Sequence, residues 1–240
     1  KYWINGEISK SAIGFRLFAK NLFPEIPKFV STSYGGCFGV SRNLILNYEL
    51  NFYKNLLVED SIGNPIRFFL YLKSSGNKIN HVYHLSVLEN ELKIEIKKEI
   101  KKVFEFGGGY GCMARIFSKI NKNIKYSCFD TVYVNLLQYY YLGHNNLDVG
   151  FVKSRQFFLN SKFENTKEKN DLFIANWSLS ETPIKFRNKF FFKIINSKYI
   201  FICFQEKFEN INNLKYFNNL KNKLKIKFDI KIIKNRFYKG

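Results

Sequence analysis

The sequence is poor in cysteine and has no long apolar run. Its 240 residues include only four cysteines, and no two of them form a Cys-x-x-Cys pair. This spacing argues against a metal site, so none is expected, and it favours reduced, buried thiols in a cytoplasmic protein. Lys193 and Asn196 interrupt the most apolar stretch, and no run approaches the ~20 residues of a membrane helix. A globular, cytoplasmic protein without a membrane span is therefore predicted.

Acidic residues are also scarce. The chain has 19 Asp and Glu against 39 Lys and Arg, a net charge of +20, which ordinarily suggests a nucleic acid or another anionic partner. The lysines are spread along the chain, however, and accompany an excess of Asn, Ile, Phe and Tyr, the bias of a genome rich in A and T. The charge therefore decides little. A phosphate-bearing substrate such as a nucleotide-linked sugar is compatible with it, and so is RNA.

What the sequence does contain is a cluster of glycines directly after an apolar run. The stretch 103–111 reads Val-Phe-Glu-Phe-Gly-Gly-Gly-Tyr-Gly, and apolar residues at helical spacing follow it. This order predicts a strand, a tight turn and a helix. Glycines let the backbone adopt positive φ and let a ligand approach, and the unpaired N–H groups of the helix N-terminus point to the same place. We therefore expect a small-molecule site at this turn.

The glycine spacing distinguishes two types of cofactor site. A dinucleotide site needs glycines at the first, third and sixth positions, which here are Gly107, Gly109 and Cys112, so that fingerprint fails. The pattern present is Glu105-x-Gly107-x-Gly109-x-Gly111. It resembles motif I of the class I S-adenosylmethionine-dependent methyltransferases.

The resemblance to motif I implies roles for the residues around the turn. The glycines, Gly108 among them, would form the cofactor loop, and the Glu105 carboxylate would attract the ammonium group of S-adenosylmethionine, whereas it would repel a pyrophosphate. A second predicted strand, 126–129, ends on Asp130, which would accept hydrogen bonds from the two ribose hydroxyls. The alternative is a glycine-rich turn that binds nothing.

Two later strands also end on polar residues. The predicted strand 156–159 is followed by Asn160 and Ser161, which fall where a class I methyltransferase contacts adenine. The predicted strand 171–175 is followed by Asn176 and a polar, tryptophan-containing loop. In an open parallel sheet the first and fourth strands flank the point where strand order reverses, and ligands bind there. Asn176 and its loop would therefore face the cofactor.

Two residues are candidates for the general base of a transfer reaction. Glu181 lies in that polar loop, but it also suits the first turn of the next helix, with Pro183 near its start. Both interpretations stay open. His84 is the second candidate, and it shares a face with His81 if a helix begins that early. The alternative for His84 is a surface histidine without a role.

Six stretches together resemble the bacterial sugar O-methyltransferase family: 62–65, 83–85, 105–111, 129–130, 135–142 and 177–181. The resemblance implies an S-adenosylmethionine-dependent methyltransferase domain over 60–240, with an α/β, doubly wound and mostly parallel sheet of Rossmann-like type. Residues 1–59 would be a mainly helical appendage or the remnant of an upstream domain.

The implied activity is transfer of a methyl group from S-adenosylmethionine to a sugar hydroxyl of a surface polysaccharide or a nucleotide-linked sugar. Two alternatives remain open. RNA methylation would suit the net charge, but base N-methyltransferases of this class often carry an Asn/Asp-Pro-Pro-aromatic loop, and the residues at 176–179 are Asn-Trp-Ser-Leu. A nucleic-acid partner is therefore not expected. The other alternative is a non-catalytic, cofactor-binding module of a larger glycan-modifying protein.

The end of the chain departs from the family pattern. A fifth buried strand is predicted at 199–204, and strict alternation predicts a half-buried edge strand at 225–233. No residues remain for the seventh strand that a class I methyltransferase inserts next to its fifth. We therefore expect 225–233 either to pair with 199–204 or to leave an exposed edge, and its alternating charges favour the first outcome.

Overall fold

The computed structural model describes residues 50–68, 71–164 and 168–233. Most of the predicted appendage at 1–59 lies outside these residues, so the domain boundary before residue 60 stays a prediction. Within the described residues, no helix is both long and apolar enough to cross a membrane.

The described residues form short helices and strands in alternation. The helices are α1 (Leu50–Leu57), α2 (Gly76–Leu92), α3 (Ile96–Glu99), α4 (Cys112–Ile120), α5 (Val132–His144), a 3-10 helix (Ser178–Glu181), α6 (Ile184–Lys189), α7 (Phe191–Ile195) and α8 (Asn213–Leu224). The strands are β1 (Arg67–Phe68), β2 (Tyr71–Ser75), β3 (Lys102–Phe106), β4 (Lys125–Phe129), β5 (Val149–Gly150), β6 (Phe157–Asn160), β7 (Asn170–Asn176), β8 (Ser197–Cys203), β9 (Lys207–Phe208) and β10 (Ile211–Asn212).

Six of these strands form one sheet in which all neighbours are parallel, in the order β5-β6-β4-β3-β7-β8. The chain runs outward from β3 to β4 and β6, and then returns to the other side of β3 with β7 and β8. Strand order therefore reverses between β3 and β7. This is the doubly wound, Rossmann-like arrangement, and the predicted fold class is confirmed. The five predicted core strands match β3, β4, β6, β7 and β8 to within two residues at each end.

Alternate side chains of the strands fill a separate core on each face of the sheet. On β3, Val103 belongs to a first core shared with helices α1, α2, α4 and α5, and Phe104 and Phe106 belong to a second core shared with α7 and α8. Strands buried on both faces read as nearly continuous apolar runs. This explains why they could be found in the sequence.

Helix α2 begins before His81 and His84, so the two histidines lie in one helix. The Ser75 hydroxyl caps it by accepting a hydrogen bond from the Lys78 backbone N–H at 3.1 Å. In its first turn, the Asn77 side chain donates to the Tyr110 hydroxyl of the glycine turn at 3.1 Å, and the helix ends at Leu92, shortly before β3 begins. Helix α2 therefore runs opposite to the strands, with its first turns at the edge where the strands end.

The prediction of an edge strand at 225–233 is wrong. Helix α8 ends at Leu224, and the backbone N–H groups of Lys227 and Phe228 both donate to the Leu224 carbonyl oxygen, at 2.9 and 3.0 Å. The segment thus curls around the helix end, with Ile226 92% exposed, and forms no ladder. Over the described ranges, no strand pairs with the outer side of β8, so the expected pairing with the fifth strand does not occur.

Candidate active site

The glycine turn joins β3 to α4 at the edge of the sheet where the strands end. Gly107, Gly109 and Gly111 have φ angles of 72°, 56° and 99°, a region that disfavours most other residues. A Cβ atom on Gly107 would overlap Ser178, whereas one on Gly109 would meet nothing within 4 Å. Gly107 is therefore required for packing against the segment after β7, and Gly109 is where a ligand can approach the backbone.

Glu105 lies beneath the turn. Its side chain is 1% exposed, its Oε2 accepts a hydrogen bond from the Tyr126 hydroxyl at 2.8 Å, and a Cβ atom on Gly108 would come within 2.6 Å of the same oxygen. Burial raises the pKa of Glu105 to about 7, although the Tyr126 hydrogen bond opposes the rise. A cation bound at the turn would favour the ionised form of this carboxylate.

Asp130 follows β4 on the open side of the turn. Its carboxylate accepts hydrogen bonds from the backbone N–H of Thr131 at 2.8 Å and from Gln138 Nε2 at 3.4 Å. Burial raises its pKa to about 6, although the Thr131 and Gly109 backbone N–H groups oppose the rise. Gln138 Nε2 also donates to the Gly109 carbonyl oxygen at 2.8 Å. Gln138 therefore holds the acid and the turn together.

Asn160 lies beside Asp130 because β4 and β6 are neighbours in the sheet. Phe129 pairs with Asn160, and the Asp130 backbone N–H donates to the Asn160 carbonyl oxygen at 3.1 Å. The Asn160 side-chain oxygen accepts from the Lys162 backbone N–H at 2.8 Å. Ser161, between them, is half-buried. The sheet thus brings both residues predicted for adenine close to Asp130.

The segment after β7 packs onto the glycine turn. The Ser178 hydroxyl donates to the Phe106 carbonyl oxygen, and the Trp177 backbone N–H donates to the Cys203 carbonyl oxygen at 2.9 Å. Trp177 has a φ angle of 68°, a strained conformation for a bulky residue. Within the described residues, both side-chain polar atoms of Asn176 and the indole nitrogen of Trp177 are buried without a hydrogen-bond partner. Strain and unpaired polar groups together are typical of a functional position.

Glu181 ends the 3-10 helix instead of lying in the first turn of α6, for which Pro183 is the N-cap. Of the two interpretations that the sequence left open, the place in the first turn of the next helix is therefore wrong. Glu181 is half-buried, and Gln205 Nε2 lies 3.5 Å from its Oε1. Gln205 is itself held by the Ser180 hydroxyl, which donates to its side-chain oxygen at 2.6 Å. The carboxylate is thus held at the end of β7, and its catalytic role stays a prediction.

His84 is buried in α2 and is not the surface histidine that the sequence left as an alternative. It is 3% exposed, its ring centroid lies 5.8 Å from that of Phe201 on β8, and its Nδ1 has no hydrogen-bond partner among the residues described. Burial, with a contribution from His81, lowers the pKa of His84 to about 3. The imidazole is therefore neutral at physiological pH.

Two residues of the site were not assigned a role from the sequence. Gln138 is fully buried. The sequence could have indicated it, because a glutamine stands on the face of the helix that its apolar residues mark as buried. Asn80 is 1% exposed and lies one turn before His84. No sequence pattern distinguishes it from the many other asparagines of the chain.

The described cysteines, Cys112, Cys128 and Cys203, form no disulfide bond. Burial raises the pKa of the Cys112 thiol to about 12, so this thiol is unreactive at neutral pH. In the part of the chain that the structure describes, no group of three or more His, Cys, Asp or Glu side chains could hold a metal ion.

No protein-family model matches the chain, and a comparison with curated proteins returns no relative. Similar solved structures include the mitomycin 7-O-methyltransferase MmcR, at 9% identity and a TM-score of 0.40 over 91% of this chain and 61% of that protein. An O-methyltransferase family protein from Burkholderia thailandensis is 8% identical, with a TM-score of 0.33 over 48% of this chain and 36% of its own. Human N-acetylserotonin methyltransferase is 10% identical, with a TM-score of 0.33 over 79% of this chain and 50% of its own. The chain thus spans between 36% and 61% of the length of these proteins, and a likeness of this size does not indicate its ligand or its reaction.

Proposed function

We propose that the chain binds S-adenosylmethionine at the edge of the sheet where the strands end and transfers its methyl group to a hydroxyl group. The arrangement of the glycine turn carries the proposal. Gly109 offers open backbone beside the Asp130 carboxylate, and the Glu105 carboxylate lies beneath the turn. The turn follows β3 at the point where strand order reverses between β3 and its neighbour β7. Open α/β sheets bind ligands at such a reversal.

The groups around the turn suit a ligand that donates hydrogen bonds. Besides the two carboxylates, the side-chain oxygens of Asn135 and Gln138 are buried without a partner in the described residues, and both side chains also hold Asp130. S-adenosylmethionine presents ribose hydroxyls and an ammonium group, which are donors. A pyrophosphate presents only hydrogen-bond acceptors and negative charge, so the carboxylates and amide oxygens around the turn would repel it.

Each residue has a proposed part in cofactor binding. Asp130 would accept hydrogen bonds from the ribose hydroxyls, and Glu105 would attract the ammonium group from below the turn. Asn160 and Ser161 would contact the adenine, and Asn176 would lie close to the methyl group.

When bound, the cofactor supplies a methyl group on a positively charged sulfur. The part of the protein is to hold the acceptor hydroxyl in line with this methyl group and to take up the hydroxyl proton. Glu181 is the first candidate for that base, because Gln205 can orient its carboxylate. His84 is the second, because its Nδ1 is unpaired among the described residues and can accept a hydrogen bond from the hydroxyl; its lowered pKa opposes full uptake of the proton, which ranks it below Glu181.

The sugar as acceptor rests on the family resemblance alone. The stretches that support it are 105–111, 129–130, 135–142 and 177–181, and the acceptor would be a polysaccharide or a nucleotide-linked sugar.

Isothermal titration calorimetry with S-adenosylmethionine tests the cofactor. The substitution Asp130→Ala should weaken binding roughly 10- to 100-fold, the value of a lost hydrogen bond to a charged group. Asp148→Ala is the matched control, because Asp148 is an exposed carboxylate that pairs with Arg155 before β5, and it should bind as the unaltered chain does. No binding by the unaltered chain, or equal affinity in the Asp130→Ala variant, contradicts the proposal.

A further inference from the structure

Four side chains around the end of β7 carry buried polar atoms that have no hydrogen-bond partner in the described part of the chain. Asn80 and His84 on α2 are buried residues, whereas Asn176 and Trp177 at the end of β7 are half-buried. A buried polar group without a partner costs about 1–3 kcal/mol. Several in one place indicate that something outside the described chain supplies the missing hydrogen bonds.

Strand pairing places Asn176 on the same face of the sheet as His84. Ile174 belongs to the first core and pairs with Phe201, whose ring contacts His84. Because side chains alternate along a strand, Asn176 points to the same face as Ile174. Asn176 and His84 therefore border one region.

Residue spacing places Asn80 and Asn176 at about the same distance from the edge of the sheet where the strands end. Asn176 is two residues beyond Ile174, which places it about 7 Å closer to the edge where the strands end. Helix α2 runs opposite to the strands, so Asn80, four residues before His84, lies about 6 Å closer to that edge. The two amides approach the same region from the helix and from the sheet, and they do not bond to each other.

The two buried cations closest along the chain, Lys78 and Arg187, already donate to other groups of the protein. Lys78 is fully buried, and its Nζ lies 2.9 Å from Glu59 and 3.2 Å from Asp60. Arg187, also buried, donates to two carbonyl oxygens and one amide oxygen. A phosphate or carboxylate in this region would have to compete with Glu59 and Asp60 for Lys78, and with three neutral oxygens for the N–H donors of Arg187.

We propose that Asn80, His84 and Asn176 hold the methyl acceptor beside Trp177, the residue that follows Asn176, and that the acceptor is a neutral molecule with several hydroxyl groups. This rests on the proposed function, because it identifies the molecule that receives the methyl group. The amides both donate and accept, the indole N–H donates and the imidazole Nδ1 can accept. A hydroxyl group, which does both, can pair with each of them. A neutral glycosyl unit is therefore favoured over a phosphorylated sugar.

Nuclear magnetic resonance can follow these groups directly in the full-length chain. The ¹⁵N-labelled protein is saturated with S-adenosylhomocysteine, and the Trp177 indole signal is assigned with a Trp177→Phe variant. Methyl glucoside and catechol are the neutral probes, and glucose 6-phosphate and salicylate are the anionic ones. At least one neutral probe should shift the indole signal, and the anionic probes should not.

Matched asparagine variants test the role of α2. Asn80→Leu removes two unpaired polar atoms, so the melting temperature should stay the same or rise, while affinity for the neutral probe falls about tenfold or more. Asn170→Leu is the control. Asn170 is equally a buried asparagine with an unpaired amide nitrogen, but it lies at the opposite end of β7 and should not affect probe binding. His84→Phe is a second test of the same region and should also weaken binding.

The outcomes separate the two proposals. If calorimetry shows no binding of S-adenosylhomocysteine to the unaltered chain, the proposed function fails and this inference fails with it. If the cofactor product binds but no neutral probe shifts the indole signal, or only anionic probes do, the acceptor assignment alone is overturned. Equal probe affinity in the unaltered chain and both α2 variants also overturns it.

Discussion

A carboxylate with a pKa near neutrality is the most unusual single residue of the site. Glu105 is almost fully buried, with the Tyr126 hydroxyl as its hydrogen-bond donor. In the unfolded chain its pKa would be about 4.5, and burial raises the pKa to about 7 in the folded chain. The folded state therefore keeps a proton that the unfolded state has lost between these two values. Stability falls with rising pH across that interval, because the folded state binds more protons.

Replacing Glu105 with glutamine should remove this dependence. At pH 5 the Glu105→Gln variant and the unaltered chain should be similarly stable, and at pH 8 the variant should be more stable by about 3 kcal/mol, the value of a shift of about two and a half pKa units. Urea unfolding at pH 5, 6, 7 and 8 measures this difference. A difference that is constant with pH would show that Glu105 titrates normally.

The same variant should bind S-adenosylmethionine more weakly if Glu105 attracts its ammonium group. Glu206→Gln is a suitable control for both measurements, because Glu206 is exposed and lies after β8. Stabilisation together with weaker cofactor binding would identify Glu105 as a residue retained for function at the expense of stability.

At the scale of elements, one charged cluster fixes three helices relative to each other. Asp60 follows α1. Its carboxylate accepts hydrogen bonds from Arg115 on α4 at 3.0 Å and from the Tyr141 hydroxyl on α5 at 2.8 Å. The Nζ atom of Lys78 on α2 lies 3.2 Å from the same carboxylate. Burial alone would raise the pKa of Asp60, but Arg115, Lys78 and Tyr141 hold it well below its usual range. The cluster positions α2 and α4 on either side of the glycine turn.

Breaking this cluster should destabilise the chain. Asp60→Asn keeps the shape but removes the charge opposite Lys78 and Arg115, at a cost of about 3 kcal/mol at pH 7. Because the pKa of Asp60 is lowered by folding, the contribution is complete above pH 4 and is lost as the pH falls further. Urea unfolding at pH 7 measures it. Tyr141→Phe removes one hydrogen bond and should lower the stability by about 1 kcal/mol. If both variants are as stable as the unaltered chain, the cluster does not link the helices.

The sequence predicted the core strands and the glycine turn, because both depend on local order along the chain. The apolar run before Gly107 and the acid after Phe129 are local signals, and the structure brings them to one edge of the sheet. The pairing of Gln138 with Gly109 depends on how α5 packs, and alternation at 225–233 could not reveal that the backbone N–H groups of that segment bond to the end of α8.

At the scale of the molecule, one group of exposed basic residues lies at the edge of the sheet opposite the site. The residues of this group lie in the segments that precede the strands or at the first residue of a strand: Lys97, Lys98, Lys101, Lys122, Lys125, Lys153 and Arg155. The glycine turn and Asp130 lie where the strands end. The seven residues of β7 separate the two edges by roughly 20 Å. A polyanion held by these lysines would therefore lie far from the proposed methyl group.

This separation predicts RNA binding without RNA methylation. Single-stranded RNA should be retained by the chain on filters at low salt and released as salt rises, because its binding would depend on displaced counterions. A triple variant, Lys101→Glu, Lys122→Glu and Lys125→Glu, reverses three exposed charges and should weaken the retention of RNA. The slope of log affinity against log salt should become less steep by up to about 0.7 for each phosphate that is no longer neutralised. The affinity for S-adenosylmethionine should not change, because the substitutions lie at the opposite edge from Gly109. Transfer of a labelled methyl group to RNA by the unaltered chain, abolished in the triple variant, would instead show that the basic edge delivers the substrate and that RNA methylation is the activity.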